Sequence, residues 1–216
     1  MKYKYIIFDF DGVLAESVQV KTDAFFKLYS KYGQKIVEKV IEHHKANGGM
    51  SRFKKFSYYH KTLLNIELSK NEIKNLSNTF SDLVMNGVIE SNEVPGASWF
   101  LNKYFKIKHY WIVSATPTNE IQHIAEQRGI ANYFVEIYGS PTDKIKNVCD
   151  IIEKNNLDNN KIVFLGDAIN DFEAAAYNDI QFILRETPDN KPHFSRYDDI
   201  KRFTDFYELE KLINKF

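Results

Sequence analysis

Short runs of apolar residues punctuate the chain, and each ends in a distinctive polar or small residue. Tyr5-Ile6-Ile7-Phe8 leads into Asp9, His109-Tyr110-Trp111-Ile112-Val113 into Ser114, and Phe134-Val135-Glu136-Ile137-Tyr138 into Gly139. Lys161-Ile162-Val163-Phe164-Leu165 leads into Gly166-Asp167, and Gln181-Phe182-Ile183-Leu184 into Arg185. Runs this short and continuous predict strands buried on both faces of a parallel sheet. Helical patterns lie between them. Thr118 to Arg128 closes on Gly129, and Ser140-Pro141-Thr142-Asp143 carries the capping pattern that opens a helix over 143–155. From Pro95 onward the alternation predicts βαβ units in a layered α/β fold.

Residues 15–92 break that rhythm. Val18, Ala24-Phe25, Leu28-Tyr29 and Tyr32 recur at helical spacing up to Gly33, and Ile36, Val40 and Ile41 continue the pattern to Asn47-Gly48-Gly49. Two further helices are predicted, over Tyr58 to Glu67 and Lys70 to Val84. A helical insert after the first strand predicts a small cap over a core built from 1–14 and 93–216. Residues 16–92 carry 12 Lys/Arg against 8 Asp/Glu, leaving 17 against 21 in the remainder. A basic lid over an acidic core suits an anionic substrate held with a cation, although such runs also serve simply to solvate helix faces.

With 216 residues, 44% of them hydrophobic, the chain has room for one full α/β domain and an insertion. Lys+Arg and Asp+Glu are both 29, which argues against nucleic-acid binding through a globally basic surface. Cys149 is the single cysteine, so no internal disulfide forms, and no Cys/His cluster has zinc spacing. The first apolar run is interrupted by Asp9 and Asp11, and no apolar stretch reaches the ~18 residues of a membrane span. The expectation is a cytoplasmic protein with no membrane partner, a monomer or weak homodimer.

Four small motifs follow in order. Asp9-Phe10-Asp11-Gly12-Val13 places two acids after a buried strand, where the carboxyl ends of a parallel sheet form the ligand crevice. One Asp there makes a turn; two flanking one apolar residue suggest a nucleophilic carboxylate, Asp9, beside a general acid/base, Asp11. Ser114, followed by Ala115-Thr116-Pro117, offers a hydroxyl and backbone amides to a phosphate oxygen, or a helix cap. Lys144 opens a helix, a mildly unfavourable place for a cation that has no anionic partner; Lys146 competes for the role. Gly166-Asp167-Ala168-Ile169-Asn170-Asp171 brings two more carboxylates to a strand end, where Asp167 with Asp9 suits a hard divalent ion. His43, His44 and His60 have no metal-ligand pattern and read as surface residues.

In this order and context the motifs resemble the haloacid dehalogenase superfamily of phosphohydrolases. The resemblance spans nearly the whole chain, and it implies a Rossmann-like three-layer core with an inserted α-helical cap. It further implies that Asp9 attacks phosphorus to form an aspartyl phosphate, while Asp11 protonates the leaving oxygen and then activates water. Dehalogenating relatives lack an acid at the Asp11 position, so Asp11 favours phosphoryl transfer. Mg2+ is implied on Asp9, the Asp11 carbonyl and Asp167, with Asp171 beside them or behind them. Ser114, Ala115 and Lys144 would bind phosphoryl oxygens.

Gly48-Gly49-Met50-Ser51-Arg52 resembles the cap loop of β-phosphoglucomutase-like relatives, in which the arginine reaches a second anionic group; an ordinary basic helix start is the alternative. Glu16 stands where many relatives have Asp. Lys21 replaces a cap histidine of the mutases, which favours a phosphatase of a small sugar or organic-acid phosphate over a phosphomutase or a Lys21-dependent phosphonate hydrolase. A regulatory module that had lost activity should have lost one of Asp9, Asp11, Lys144 or Asp167; all are present.

Overall fold

A computed structural model describes residues 2–214. Six parallel strands form one sheet: β1 (Tyr5–Phe8), β2 (His109–Pro117), β3 (Phe134–Ser140), β4 (Ile162–Gly166), β5 (Gln181–Arg185) and β6 (Lys201–Phe203). Their order is β3-β2-β1-β4-β5-β6, which puts β1 in the middle and pairs Phe8 with Ile112 on one side and Leu165 on the other. The polar residues that end β1, β2 and β4 therefore converge at one edge of the sheet. In such sheets that edge holds the ligand crevice.

Burial on both faces explains the apolar runs of β1, β2, β4 and β5; β3, expected to be buried likewise, lies at the edge of the sheet, with Val135 exposed and Glu136, Ile137 and Tyr138 half-buried. Ile6, Phe8, Ile112, Val163 and Leu165 pack on one side with residues of α5 (Ala97–Tyr104), α6 (Thr118–Gln127) and α9 (Phe206–Asn214). Ile7, Trp111, Val113, Phe164 and Leu184 pack on the other with α7 (Lys144–Asn155) and α8 (Ile169–Tyr177). The fold is thus three layers. Phe8 sits at its centre, with ring centroids 5.3 Å from Tyr110, 6.0 Å from Phe134 and 6.3 Å from Phe206.

Between β1 and α5 the chain is helical: α1 (Val18–Tyr29), α2 (Gln34–Ala46), α3 (Arg52–Tyr58) with a π-helical turn at Tyr59–Leu63, and α4 (Lys70–Glu90). Phe25 holds these helices together, 4.6 Å from His44, 5.9 Å from Phe56, 5.8 Å from Tyr59 and 4.5 Å from Phe80 by ring centroids. The chain leaves and re-enters the sheet layer side by side. Ala15 bridges Glu93, the Glu16 amide donates to the Asn92 carbonyl, and the Val94 amide to the Leu14 carbonyl. Arg128 donates to the Val88, Ile89 and Ser91 carbonyls and so caps the C-terminal end of α4.

Several expectations are corrected. The helix anticipated over 58–67 begins earlier, at Arg52, and its helical backbone stops at Leu63, before Asn65 turns left-handed at φ 55°. The next helix runs past Val84 to Glu90, because Phe80, Val84 and Val88 keep one face buried at a spacing of four. Strand β6 has only Lys-Arg-Phe, too little for a periodic signal. His44 and His60 are not surface residues; both are buried, His44 against Phe25 and His60 hydrogen-bonded with Tyr29 Oη at 3.1 Å.

Truncation at the centre of the sheet should be costly. Phe8→Ala is expected to lower stability by about 3–5 kcal/mol, read as a shift in the urea midpoint with unchanged slope; a loss below about 1 kcal/mol would mean that Phe8 is not packed as described.

Candidate active site

Phe8 closes β1, and the next three residues turn over its end. The Phe10 carbonyl accepts from the amides of Val13, Leu14 and Ala15, which fixes a tight loop and leaves Asp9 and Asp11 flanking a buried Phe10. Gly12 sits in this loop at φ +80°, and a Cβ there would fall 2.2 Å from Asp167 Oδ2. Only glycine allows the first and fourth motifs to approach so closely.

Asp143 caps α7 by accepting the Lys146 amide at 2.9 Å, and this cap sets the direction of Lys144. The Lys144 side chain is buried, with Nζ 2.9 Å from Asp9 Oδ1 and 2.5 Å from Asp171 Oδ1. Lys146 turns outward to Asp150. Asp171 Oδ2 accepts the amides of Asp167 and Ala168 at 3.2 and 3.1 Å. Both Asp171 oxygens are therefore engaged within the protein, which suits a residue that aims Lys144 and shapes the loop. A carboxylate oxygen from each of Asp9, Asp167 and Asp171 still lies within 4.8 Å of the others.

Burial pushes the Asp9 pKa up; Lys144 pulls it back and the charges of Asp171 and Asp11 add to it, with the outcome near 7. Asp167 is held well above the ordinary carboxylate range, first by burial and then by Asp9 and Asp171. Lys144 stays above the usual lysine value, because Asp171 and Asp9 outweigh the burial that opposes its charge. A buried acid and a half-buried one, short of positive charge and offering oxygen donors only, form a site that fits a hard divalent cation. Asp9 and Asp167 are the acids free to hold it.

Asp11 has a different environment. Its Oδ1 accepts from Ser17 Oγ at 2.7 Å, and its Oδ2 accepts from Lys21 Nζ and from Thr116 Oγ1, the latter at 3.3 Å. Burial raises its pKa, but the Lys21 charge with the Lys21 and Ser17 hydrogen bonds outweighs that and holds Asp11 below the ordinary value. Lys21 also donates to Thr116 Oγ1 at 2.7 Å, joining α1 to the end of β2.

Ser114 is buried, and its Oγ accepts the Thr116 amide at 3.1 Å, which leaves its own proton free to donate. Ala115 and Thr116 line a cavity of about 520 Å3 that also touches Asp9, Asp11, Asp167 and, from the helical layer, Lys21. Arg52 lines it too, yet both terminal nitrogens of its guanidinium donate to Glu120, at 2.9 and 2.6 Å, and Nη1 also donates to Ser81 Oγ at 2.8 Å. The structure thus gives Arg52 a carboxylate of the protein as its partner, across the boundary between helical insert and core. Arg185, unassigned from sequence, pairs with Glu16 through Nη1 at 3.0 Å and Nη2 at 2.5 Å and donates to the Gly12 carbonyl at 3.2 Å.

Thr116, Ser17, Glu120 and Asn190 were not singled out by sequence. Asn190 donates to the carbonyls of Asp167 and Arg185, steadying the fourth motif. Only Thr116 and Ser17 had a usable signal, as hydroxyls two and six residues from already marked positions.

The family model for haloacid dehalogenase-like hydrolases matches residues 6–184. No curated protein matches the chain by sequence. Among solved structures, a predicted phosphatase from Clostridium acetobutylicum has a TM-score of 0.77 at 18% identity over 100% of both chains. A predicted phosphoglycolate phosphatase from Haemophilus somnus gives 0.73 at 20% identity over 99% of both. A protein from Bacteroides vulgatus, described by inference as a β-phosphoglucomutase, gives 0.73 at 17% over 97% of this chain and 87% of that one. At such identities these likenesses concern the fold. Among the described residues no helix is long and apolar enough to cross a membrane.

The acid cluster makes a signed prediction about pH. Asp9 and Asp167 bind protons more tightly in the folded than in the unfolded chain. Their contribution to stability is present below the ordinary value of 3.8 and is lost as pH rises towards about 7. In chelator at about pH 7.5, Asp167→Asn should melt above wild type, by roughly 2–4 °C per kcal/mol recovered, with the gap closing near pH 4. Mg2+ should raise the melting temperature of wild type and not that of the variant. Equal melting curves in chelator at both pH values would refute the charge imbalance.

Proposed function

The chain belongs to the haloacid dehalogenase-like hydrolases, and from its site we propose a Mg2+-dependent phosphatase of a small phosphorylated metabolite that works through an aspartyl phosphate on Asp9. The observation that carries this reading is the Asp9 carboxylate held 2.9 Å from a buried Lys144, with Asp11 beside it and both acids open to one cavity. We also read residues 15–92 as the cap over that cavity, since α1 and the Gly48-Gly49 turn contribute to its walls.

Attack of a carboxylate on a phosphate dianion faces like-charge repulsion. Lys144 offsets part of it and stays charged through the transition state, where negative charge spreads over the equatorial oxygens. A divalent ion held by Asp9 and Asp167 would supply the remaining positive charge on the phosphoryl group. Asp9 Oδ forms the new bond to phosphorus while the bond to the leaving oxygen breaks. Asp11 gives that oxygen its proton and later takes one from the water that attacks the aspartyl phosphate, releasing phosphate and regenerating Asp9. Lys21, Ser17 and Thr116 hold the Asp11 carboxylate and favour its ionised form, the form needed to receive the water proton; the proton given to the leaving oxygen is one that Asp11 must first take up from solvent as the substrate binds, against that preference. The Ser114 hydroxyl and the Ala115 amide lie at the end of β2, where phosphoryl oxygens would be met. Lys21 Nζ is engaged by Asp11 and by Thr116 Oγ1, which weighs against its use as a nucleophile in Schiff-base cleavage of phosphonates.

Phosphate release from p-nitrophenyl phosphate and a panel of phosphorylated metabolites should require Mg2+ and fall at least about 10^3-fold in Asp9→Asn, with an unchanged melting curve. A folded Asp9→Asn protein with near-wild-type turnover would exclude Asp9 as nucleophile.

A further inference from the structure

Around the cavity, four cations have carboxylate partners: Lys21 with Asp11, Arg52 with Glu120, Lys144 with Asp9 and Arg185 with Glu16. Two more lysines line the cavity without a carboxylate partner among the described residues: Lys45, which is exposed, and Lys55, on α3, which differs from it in being buried, at 2% exposure. Its Nζ is 2.8 Å from His44 Nδ1 and donates to the His44 carbonyl at 3.4 Å. Phe25 stands against it, with Nζ 5.5 Å from the ring centroid.

A buried amine without a counter-charge is costly unless a ligand completes it. His44 does not supply that charge. Burial, and then the charge of Lys55, push the His44 pKa down to about 2, so its imidazole is neutral and accepts from the amine. Burial and the positive charges of Lys21 and Lys144 also depress Lys55. That influence puts Lys55 within electrostatic reach of the reacting end of the cavity. An anion beside it would reverse the depression. Phe25, Phe80 and Met50 supply an apolar wall around the amine, and one amine with one neutral acceptor suits a monoanion more than a second phosphate dianion.

We propose that Lys55, backed by His44, is the specificity-determining residue of this site and receives a carboxylate at the end of the substrate remote from phosphorus. The substrate class is then a phosphate monoester of a small hydroxy acid. This inference rests on the phosphatase reading for its turnover, and replaces Arg52, already held by Glu120, as the receiver of a second anionic group. It gives remote binding energy to the correct substrate and withholds it from neutral phosphate esters.

Two matched pairs test it: 3-phosphoglycerate against glycerol 3-phosphate, and phosphoglycolate against 2-hydroxyethyl phosphate, each differing by a carboxylate in place of a hydroxymethyl group. Wild type should favour the acid of each pair by roughly 10- to 100-fold in kcat/KM, the size of one hydrogen bond to a charged group. In Lys55→Met, and in Lys55→Gln should the first not fold, that ratio should fall towards one, mainly through KM. Calorimetric titration of the same compounds into Asp9→Asn protein reads the preference without turnover. If binding prefers the acids and Lys55→Met in that background removes the preference, Lys55 is upheld even when wild type releases no phosphate; such silence counts against the phosphatase reading alone. Equal affinity within each pair, or a preference that survives the loss of Lys55, overturns the proposal.

Discussion

Crowding carboxylates at the middle of a parallel sheet is an electrostatic liability, and the Lys144 ammonium is the constraint around which it is resolved. Its Nζ lies 2.9 Å from Asp9 and 2.5 Å from Asp171, in a buried position where these two carboxylates offset the cost of burying its charge. The requirement fixes the start of α7 through the Asp143 cap, and fixes the loop after β4 through the two amides that bind Asp171. Lys144 offsets Asp167 only in part, and burial with Asp9 and Asp171 still holds that carboxyl well above the ordinary range. The result is a site whose charge is unbalanced by design of its geometry, with oxygen donors facing a cavity that admits both a cation and an anion.

The helical layer answers the same imbalance from the opposite side. Lys21 brings one positive charge to Asp11, so the two acids of the first motif differ in environment although one residue separates them. Asp9 is raised by burial and neighbouring acids, while Asp11 is held down by a cation and hydroxyls. Divergent environments for neighbouring carboxylates are what a nucleophile and a proton carrier require. Arg52 and Glu120 couple α3 to α6 and join the two parts of the chain at the wall of the same cavity.

Most of the sheet was readable from sequence because burial on both faces leaves uninterrupted apolar runs in β1, β2, β4 and β5, while the edge strand β3 shows a run broken by Glu136 and half-exposed on the sheet. The sixth, Lys201–Phe203, is held by backbone pairing to β5 and by Phe203, which three residues cannot advertise. At the site, acids at strand ends and a helix-start lysine were visible because their positions follow from the backbone. Lys144 and Lys146 could be separated only by the direction that the Asp143 cap gives the first turn. Pairings made by tertiary packing left little trace. Arg52 met Glu120, 68 residues away, and the histidines read as surface proved partly core because Phe25 and Tyr29 lie over them. Lys54 and Lys55 stand side by side in the sequence with nothing to tell them apart, and only the closed packing of α1, α2 and α3 buries Lys55 and leaves Lys54 exposed.

The paired crossings at Leu14–Glu16 and 92–94 have a mechanical consequence. Two independent tethers would let the helical layer slide, twist and tilt over the sheet. These are laced together by the Ala15–Glu93 bridge and the hydrogen bonds on either side of it, and so behave as one narrow ribbon. A ribbon bends easily across its flat face and resists shear in its plane. Were the Arg52–Glu120 and Lys21–Asp11 contacts to part, such a ribbon would leave the layer close to a single angular freedom, one that keeps Lys21 aligned with Asp11.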